Sequence, residues 1–316
     1  MIGDLLKQLS VGLWRFFCHH LARTTGSHRT PPVLQATAGP KPASTVADAV
    51  EIPLPPDEAI LSETYRRPVR LSTSRRDIDS EEFASNPVFQ LWKQHQPRAH
   101  KWTHYFEAYH AIFGLRRPQA LRILEIGVYQ GASLRLWKSY FDNPQTVIVG
   151  IDIDPTCARF DSSRENIHVR IGSQADAAFL DTVTRDFGPF DIIIDDGSHH
   201  SSHMVASFNH LFAGALKDDG IYLAEDLHTN YWTPWRDTRQ SFLDLCKELM
   251  EFMHAHYTLA TLTEWLRESD SESDEFSLDV PVIATMIKEI RVFDSIVAIH
   301  KTRREYLPRV LNPIAN

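Results

Sequence analysis

Between about residue 121 and residue 299, two patterns of hydrophobic residues alternate along the chain. Short, nearly continuous runs of Ile, Leu and Val predict strands, and apolar residues spaced three or four apart predict the helices between them. The predicted strands span residues 121–126, 146–151, 167–171, 190–194, 220–224, 289–293 and 296–299, and the predicted helices span 132–141, 175–187, 204–216 and 240–256. Such alternation is typical of an α/β fold with a mostly parallel sheet and helices on both faces. The last two strands are predicted to close this seven-stranded sheet with an antiparallel pair.

A further helix is predicted over residues 101–113, before the first strand. Its aromatic and apolar residues recur at helical steps, so they share one face. That face holds Trp102, Tyr105, Tyr109 and Ile112.

The composition changes along the chain and predicts the domain boundaries. Residues 24–56 are rich in Pro and small residues, a composition typical of linkers. Residues 57–98 are charged and mixed, a composition compatible with short helices. We therefore predict a largely linker-like N-terminal segment over 1–98, one folded domain over 99–305 and a C-terminal tail over 306–316. The acidic stretch 264–275 is interpreted as a solvated loop.

Charge and cysteine content narrow the class of protein. The 316 residues include 33 Lys+Arg and 41 Asp+Glu, giving a net charge of -8. This acidic balance weighs against sequence-independent nucleic-acid binding, which needs a basic surface. Cys18, Cys157 and Cys246 lie far apart, so we expect reduced thiols and a cytoplasmic protein. The apolar stretch 5–22 is interrupted by charged residues, which leaves at most a weak membrane contact there.

The first candidate site lies where the first strand turns into a helix. Its residues Leu-Glu-Ile-Gly-Val-Tyr-Gln-Gly-Ala-Ser begin at Leu124 and contain Gly127 and Gly131. Glycines let the backbone approach a ligand, and a helix N-terminus offers free N–H donors. The Gly-x-x-x-Gly spacing departs from the dinucleotide fingerprint. Glu125 suits a cationic or amino-bearing ligand, although a tight turn alone would also explain these glycines.

The ends of the next two strands carry further polar residues. Asp152 ends the second strand and is suited to accept hydrogen bonds from ribose hydroxyls, whereas Asp154 is a candidate helix cap before a proline. Ser173 and Gln174 follow the third strand and are suited to frame an adenine edge. Ser173 as a helix cap, with Asp176 three residues on, is an equally good interpretation.

Two acidic clusters follow two neighbouring strands. Asp195 and Asp196 come directly after the Ile-rich strand, with His199 close behind, and Glu225 and Asp226 follow the next strand. Like charges brought together at one sheet edge are costly without a partner. Oxygen ligands favour a hard cation such as Mg²⁺ over zinc. Each acid alone could instead be a helix cap.

These motifs, in this order, resemble class I S-adenosyl-L-methionine-dependent methyltransferases over about residues 101–301. Within that class they resemble the metal-dependent sugar O-methyltransferases of macrolide tailoring, the mycinamicin type. The stretches that carry the resemblance are Lys-Trp-Thr-His-Tyr-Phe from Lys101, Leu-Glu-Ile-Gly-Val-Tyr-Gln-Gly, Gly-Ile-Asp-Ile-Asp-Pro, Gly-Ser-Gln-Ala-Asp, Asp-Asp-Gly-Ser-His-His, Glu-Asp-Leu-His-Thr-Asn-Tyr-Trp and Phe-Asp-Ser-Ile-Val. The resemblance implies a Rossmann-like class I methyltransferase fold.

The resemblance also implies roles for individual residues. Asp196, Glu225 and Asp226 match the Mg²⁺ ligands of such enzymes, and His199 matches the general base. The positions implied to bind S-adenosylmethionine are Glu125, Gly127, Gly131, Ser133, Asp152, Ser173, Gln174 and Asp195. Lys101, His104 and Tyr105 fall in an N-terminal helix that closes over the cofactor in such enzymes. The Pro-rich N-terminal segment departs from their pattern, so a homo-oligomer is an open expectation.

The sequence therefore predicts an Mg²⁺-dependent O-methyltransferase. Metal coordination lowers the pKa of a sugar hydroxyl, and His199 would accept its proton. The expected acceptor is a small-molecule sugar or glycoside, with Tyr231, Trp232 and Trp235 near the mouth of the pocket. The alternatives are a metal-dependent oxygenase of the cephalosporin hydroxylase type and a non-catalytic S-adenosylmethionine-binding protein.

Overall fold

A seven-stranded sheet organises the computed structural model, which describes residues 61–71, 81–261 and 277–307. The strands are β1 (Arg122–Ile126), β2 (Val147–Asp152), β3 (Ile167–Ile171), β4 (Phe190–Asp195), β5 (Leu216–Ala224), β6 (Ile287–Phe293) and β7 (Ile296–Lys301). Their order in the sheet is β3-β2-β1-β4-β5-β7-β6. The pairs among β1 to β5 are parallel, and β7 runs antiparallel to both β5 and β6. The predicted mostly parallel sheet with an antiparallel closing strand is confirmed.

Helices connect the strands and flank the sheet. They are α1 (Glu63–Arg66), α2 (Glu81–Ala84), α3 (Pro87–Gln94), α4 (Tyr105–Phe113), α5 (Ala132–Tyr140), α6 (Ala177–Phe187), α7 (Ser201–Gly214) and α8 (Phe242–Met253). Local capping explains two of the starts. The Asp176 side chain accepts the N–H groups of Ala178 and Phe179 at α6, and Ser241 and Asp244 form a capping box at α8. None of the helices in the described residues is long and apolar enough to cross a bilayer.

The core has two layers because successive side chains of a strand point to opposite faces. Ile123, Ile192 and Leu223 pack on one face with Tyr109 of α4 and Trp137 of α5. On the other face, Leu124, Ile193 and Tyr222 pack with residues of α6, α7 and α8. Both faces are therefore covered, which is why these strands are apolar throughout.

The region before α4 differs from the sequence expectation at one residue. Trp102 was expected on the buried helical face, but α4 begins at Tyr105 and Trp102 is 50% exposed. Helix α3 lies within residues 57–98, whose composition is compatible with short helices. Its Val88 and Phe89 are buried in the core, and its Asn86 cap donates to the Phe106 carbonyl at 2.9 Å. Helix α3 can pack this way because its apolar residues Val88, Phe89, Leu91 and Trp92 all contact the core.

Several sequence predictions lie outside the described residues. These are the apolar stretch 5–22, the linker 24–56, the acidic loop 264–275, the tail beyond residue 307 and Cys18. The domain boundaries stay predictions. Cys157 and Cys246 are both free and buried, as expected for structural thiols.

Candidate active site

The carboxyl ends of β1, β4 and β5 meet at one edge of the sheet. Ile126 pairs with Asp195, and Asp195 pairs with Ala224. The ladder continues one residue further, since Glu225 N–H donates to the Asp195 carbonyl and Asp196 N–H donates to the Ile126 carbonyl, both at 3.0 Å. The two acidic clusters of the sequence are thus brought side by side, where ligands of open parallel sheets bind.

Successive side chains of a strand point to opposite faces of the sheet, so the acids at this edge are divided between the two faces. Glu125 and Glu225 contact residues of α5 and α4 respectively, and Asp196 contacts Lys101, four residues before α4 begins. Asp195, one residue earlier than Asp196, points to the opposite face and bonds to Ser207 of α7. Adjacent acids of one motif therefore have different environments.

Asp196, His199 and Asp226 form a compact donor group. One side-chain atom from each lies within 4.8 Å of the others. The His199 Nε2 atom is 3.5 Å from Asp226 Oδ2 and 3.9 Å from Asp196 Oδ1. His199 and Asp226 both adopt left-handed backbone conformations, with φ of 59° and 54°. Such strain costs about 1–3 kcal/mol per residue and clusters at functional sites, which supports a binding role here.

Glu225 was predicted as a metal ligand but is not part of that donor group. Its buried Oε2 atom accepts hydrogen bonds from Lys101 Nζ at 2.6 Å and from the Tyr109 hydroxyl at 2.8 Å. Its Oε1 atom is buried and has no hydrogen-bond partner. Burial raises the pKa of Glu225, and the charge of Lys101 opposes that shift. Oε1 is therefore the oxygen that remains free for a cation.

The pKa of Asp226 shifts in the opposite direction from that of its neighbour Glu225. The Tyr105 hydroxyl donates to Asp226 Oδ1 at 2.6 Å. Burial alone would raise the pKa of Asp226, but the charge of His199 and the Tyr105 hydrogen bond lower it below its ordinary value. Asp226 is accordingly held as a carboxylate, the form that binds a metal.

Glu125 is buried beneath the glycine turn. Its Oε1 atom accepts a hydrogen bond from Trp137 Nε1 at 2.9 Å, and its Oε2 atom has no partner. Burial raises the pKa of Glu125 to about 7. An amino or cationic ligand would satisfy the free oxygen and stabilise its charge.

The glycine turn brings two strand ends into close contact. Gly127 has φ of 96°, and a Cβ atom there would lie 2.1 Å from the Asp196 carbonyl oxygen. Gly131 has φ of 68° and caps the N-terminus of α5, where Ser133 is buried in the first turn. Only glycine fits at position 127 in this arrangement, because any side chain would clash with the Asp196 carbonyl group.

Asp152 organises the same turn from β2. Its Oδ2 atom accepts the N–H groups of Val128 and Tyr129, each at 2.9 Å, and its Oδ1 atom accepts Asp154 N–H. Asp154 caps the following short helix through Thr156 N–H, as the sequence predicts. The predicted ribose contact of Asp152 stays a prediction.

The residues after β3 have structural partners of their own. The Ser173 hydroxyl accepts Ala175 N–H, and Asp176 rather than Ser173 is the cap of α6. Gln174 is buried, donates to Asp195 at 3.1 Å and accepts Ser198 N–H at 2.8 Å. Gln174 thus ties β4 to the segment that carries His199, and its predicted adenosine contact stays a prediction.

Asp195 is held in a closed hydrogen-bond network. The hydroxyl groups of Tyr222 and Ser207 each donate to its Oδ2 atom at 2.8 Å, in addition to Gln174. Burial raises its pKa. Its predicted part in cofactor binding stays a prediction.

An aromatic rim lies beside the donor group. We define it by the rings of Trp102, His228, Trp232 and Trp235. The His228 ring lies 5.4 Å from Trp102 and 4.6 Å from Trp232, whose ring is 5.5 Å from Trp235. His228 Nδ1 is 3.9 Å from Asp226 Oδ1. The rim therefore begins directly beside the carboxylates.

Sequence reasoning did not assign Lys101 and Tyr109 to the carboxylates. Lys101, His104 and Tyr105 were expected near the cofactor, but Tyr109 was interpreted only as part of an apolar face. The structure places both tyrosine hydroxyl groups and the Lys101 ammonium on Asp196, Glu225 and Asp226. The available signal was the four-residue spacing of Tyr105 and Tyr109, which places both side chains on one side of α4. Lys101 precedes the helix, so its position was not visible in this spacing.

The residues present fit a divalent ion and a cationic cofactor. Three buried atoms of this edge lack hydrogen-bond partners in the described structure: Glu125 Oε2, Glu225 Oε1 and His199 Nδ1. The donor set is rich in carboxylate oxygen, and neither buried thiol belongs to it. Mg²⁺ prefers such ligands.

Comparisons with known proteins relate part of the chain to methyltransferases. Residues 124–227 match a family model described as a methyltransferase domain. A tetracenomycin-C rhamnosyl 3'-O-methyltransferase from Streptomyces olivaceus is 37% identical over 166 residues, which are 48% of this chain and 41% of that protein. The mycinamicin VI 2''-O-methyltransferase of Micromonospora griseorubida is 44% identical over 126 residues, 37% of this chain and 29% of that protein. The chain thus spans less than half of the length of these curated relatives.

A solved structure extends the similarity over more of the chain. The MycE methyltransferase of the mycinamycin pathway, in complex with Mg, SAH and mycinamycin VI, matches with a TM-score of 0.55 and 30% identity. The match covers 70% of this chain and 56% of that one. The resemblance predicted from the sequence motifs is confirmed: residues 124–227 match the methyltransferase-domain model, and the chain shares the class I fold of this solved structure.

Proposed function

We propose that this chain is an Mg²⁺-dependent O-methyltransferase that methylates a sugar hydroxyl of a small-molecule glycoside. The observation that carries the proposal is the donor group of Asp196, His199 and Asp226, with atoms within 4.8 Å at the carboxyl edge of a class I methyltransferase sheet. The named relatives that methylate sugars of macrolides and aromatic polyketides support it.

The two bound groups would supply the reactive methyl, carried on a sulfonium, and a Lewis acid that lowers the pKa of a hydroxyl. Asp196, Asp226 and the free Oε1 of Glu225 would hold the ion. Glu125 Oε2 would bind the amino end of the cofactor, because a buried carboxylate oxygen without a hydrogen-bond partner favours a cation. Gly127 and Gly131 keep the turn close enough for backbone contacts.

His199 accepts the proton of the acceptor hydroxyl in this proposal. Its Nε2 atom lies within 4 Å of two carboxylates, Asp196 and Asp226. These two carboxylates would also hold the ion, so the base would lie beside the coordinated hydroxyl. The surrounding fold holds His199 in a left-handed backbone conformation, which would keep the base in place before the acceptor binds.

The aromatic rim suits a glycoside acceptor. Sugar rings present C–H faces that pack on aromatic side chains, and the rim begins beside Asp226, where the reacting hydroxyl is placed. Trp102 and Trp232 are exposed enough to contact such a ligand.

The oxygenase alternative needs two imidazoles and one carboxylate around iron. The donor group found in the described residues has one imidazole and two carboxylates, which favours an oxygen-preferring ion. A non-catalytic binding protein would not require a strained histidine beside two carboxylates.

The decisive experiment supplies the purified chain with methyl-labelled S-adenosylmethionine, Mg²⁺ and a panel of rhamnosylated and deoxyhexosyl polyketides. We expect label on a sugar oxygen, identified by mass spectrometry and NMR of the product, and loss of transfer after chelation of the metal. Equal transfer without any divalent ion would remove the metal from the proposal. Cofactor binding without turnover on every glycoside would favour the non-catalytic alternative.

Two histidine variants test the base. His199→Gln is expected to lower kcat by about 10²–10⁴-fold, the usual contribution of a general base. His200→Gln is the matched control, because His200 follows directly in the chain and pairs instead with Asp237, at 3.8 Å. A His199→Gln enzyme with unchanged kcat would exclude the proposed proton transfer.

A further inference from the structure

Lys101 is a buried cation among acids. Its side chain is 2% exposed, and its ammonium contacts Asp196 Oδ2 at 2.5 Å and Glu225 Oε2 at 2.6 Å. The contacts join residues 95 and 124 positions apart in the chain. A buried ammonium needs such partners, because its desolvation is otherwise unfavourable.

The neighbouring donors differ from Lys101 in charge. Tyr109 and Tyr105 donate neutral hydroxyl groups to Glu225 and Asp226, which leaves the negative charge of these acids in place. Lys101 alone among these three residues brings a positive charge. It therefore offsets repulsion between Asp196 and Glu225, which the strand register forces together.

We propose that Lys101 is the internal counter-cation of Asp196 and Glu225 and competes with the divalent ion for these carboxylates. The inference rests on the proposed function in taking the two carboxylates as metal ligands. It assigns Lys101 as a positioning residue: the acids stay assembled in the metal-free protein, and the ion binds more weakly than it would to the acids alone.

A purely structural role predicts the opposite effect on metal binding. If Lys101 only held the two acids in place for the ion, its removal would scatter the ligands and weaken binding. If it competes, removal of its charge strengthens binding. Even with water-like screening, a dication and an ammonium on the same carboxylate repel strongly enough to change the affinity about tenfold.

The test measures Mg²⁺ and Mn²⁺ binding to the full-length chain by calorimetry, and Mn²⁺ binding also by electron paramagnetic resonance. Lys101→Met is expected to bind both ions at least about tenfold more tightly, a change of about 1.4 kcal/mol. The same variant should unfold at a lower temperature without metal and gain more from added Mg²⁺ than the parent chain. Unchanged or weaker binding by the folded variant would overturn the proposal.

Two control variants separate charge from structure. Tyr109→Phe removes a hydrogen bond to Glu225 without changing charge, so its metal affinity should stay within about threefold. Lys217→Met removes a lysine that pairs with Asp191 near the amino ends of β4 and β5, and should leave metal affinity unchanged. Tighter binding by Lys217→Met would show a general charge effect and overturn the assignment.

Lys101→Gln serves if the methionine variant does not fold, since it keeps a polar group for the two acids. It should also bind the ions more tightly, and unchanged or weaker binding would overturn the proposal. Methyl transfer by the parent chain is measured separately. Tighter metal binding without any methyl transfer would refute the proposed function alone, whereas methyl transfer with unaltered metal binding in the Lys101 variants would refute only the competition.

Discussion

Burial of Glu125 makes the stability of the protein depend on pH in a defined direction. Burial raises the pKa of this carboxyl from 4.5 to about 7. The folded state therefore holds the proton more tightly than the unfolded state between these values. Its contribution to stability is complete below about pH 4.5 and is lost as the pH rises to about 7.

The magnitude follows from the size of the shift. About 2.5 units at 1.36 kcal/mol per unit give about 3.4 kcal/mol in total. About 2.5 kcal/mol of that total falls between about pH 5 and about pH 8. Glu125→Gln cannot ionise but retains an oxygen to accept the Trp137 hydrogen bond, so it removes this dependence without removing the contact.

The assay is urea unfolding in metal-free and cofactor-free buffer at these two pH values. Relative to the parent chain, Glu125→Gln should become more stable by about 2.5 kcal/mol on going from about pH 5 to about pH 8. Glu107→Gln, an exposed acid on α4, is the matched control and should show no such change. The reasoning is refuted if Glu125→Gln and the parent chain lose stability in parallel.

Two further substitutions test the turn and the N-terminal packing. Gly127→Ala places a Cβ atom against the Asp196 carbonyl oxygen at positive φ, so it should lower the free energy of unfolding by about 2–5 kcal/mol in chemical denaturation. It should also remove the thermal shift that S-adenosylmethionine causes. A variant with the stability and cofactor binding of the parent chain would contradict the close approach. Phe89→Ala removes a buried ring that packs against Phe106 and Trp92, so it should lower the free energy of unfolding by about 3–5 kcal/mol. The control Leu115→Ala, at an exposed position, should change it by less than about 0.5 kcal/mol. Equal effects of the last two would mean that α3 is not part of the folding unit.

Local patterns predict the secondary structure of the domain closely. Residues 167–171 form the strand expected of them, and the apolar run after Phe190 forms β4 with its acidic end. A fully buried strand requires apolar side chains on both faces, so its period is visible in the sequence. The start of α4 was predicted less well, since aromatic spacing continues through Trp102 although the helix begins at Tyr105.

The N-terminal boundary shows a different limit of local reasoning. The charged, mixed composition of residues 57–98 is compatible with short helices but does not predict that one of them joins the core. In the structure, Phe89 packs against Phe106 at 5.2 Å between ring centroids. A short aromatic helix among polar residues gains its stability from a distant surface, which composition does not report.

The sequence by itself determined the order of strands and helices, the glycine turn and the two acidic clusters, because each depends on neighbouring residues. It also determined that the clusters meet, because carboxyl ends of parallel strands share one edge. Tertiary structure alone decided which atoms of these acids are free. Lys101 and Tyr109 occupy one oxygen of Glu225 while the other has no partner, and His199 joins Asp196 and Asp226 instead. The contacts of Lys101 and Tyr109 with Glu225 join residues more than a hundred positions apart. The charge on each acid depends on burial and neighbours that exist only after folding.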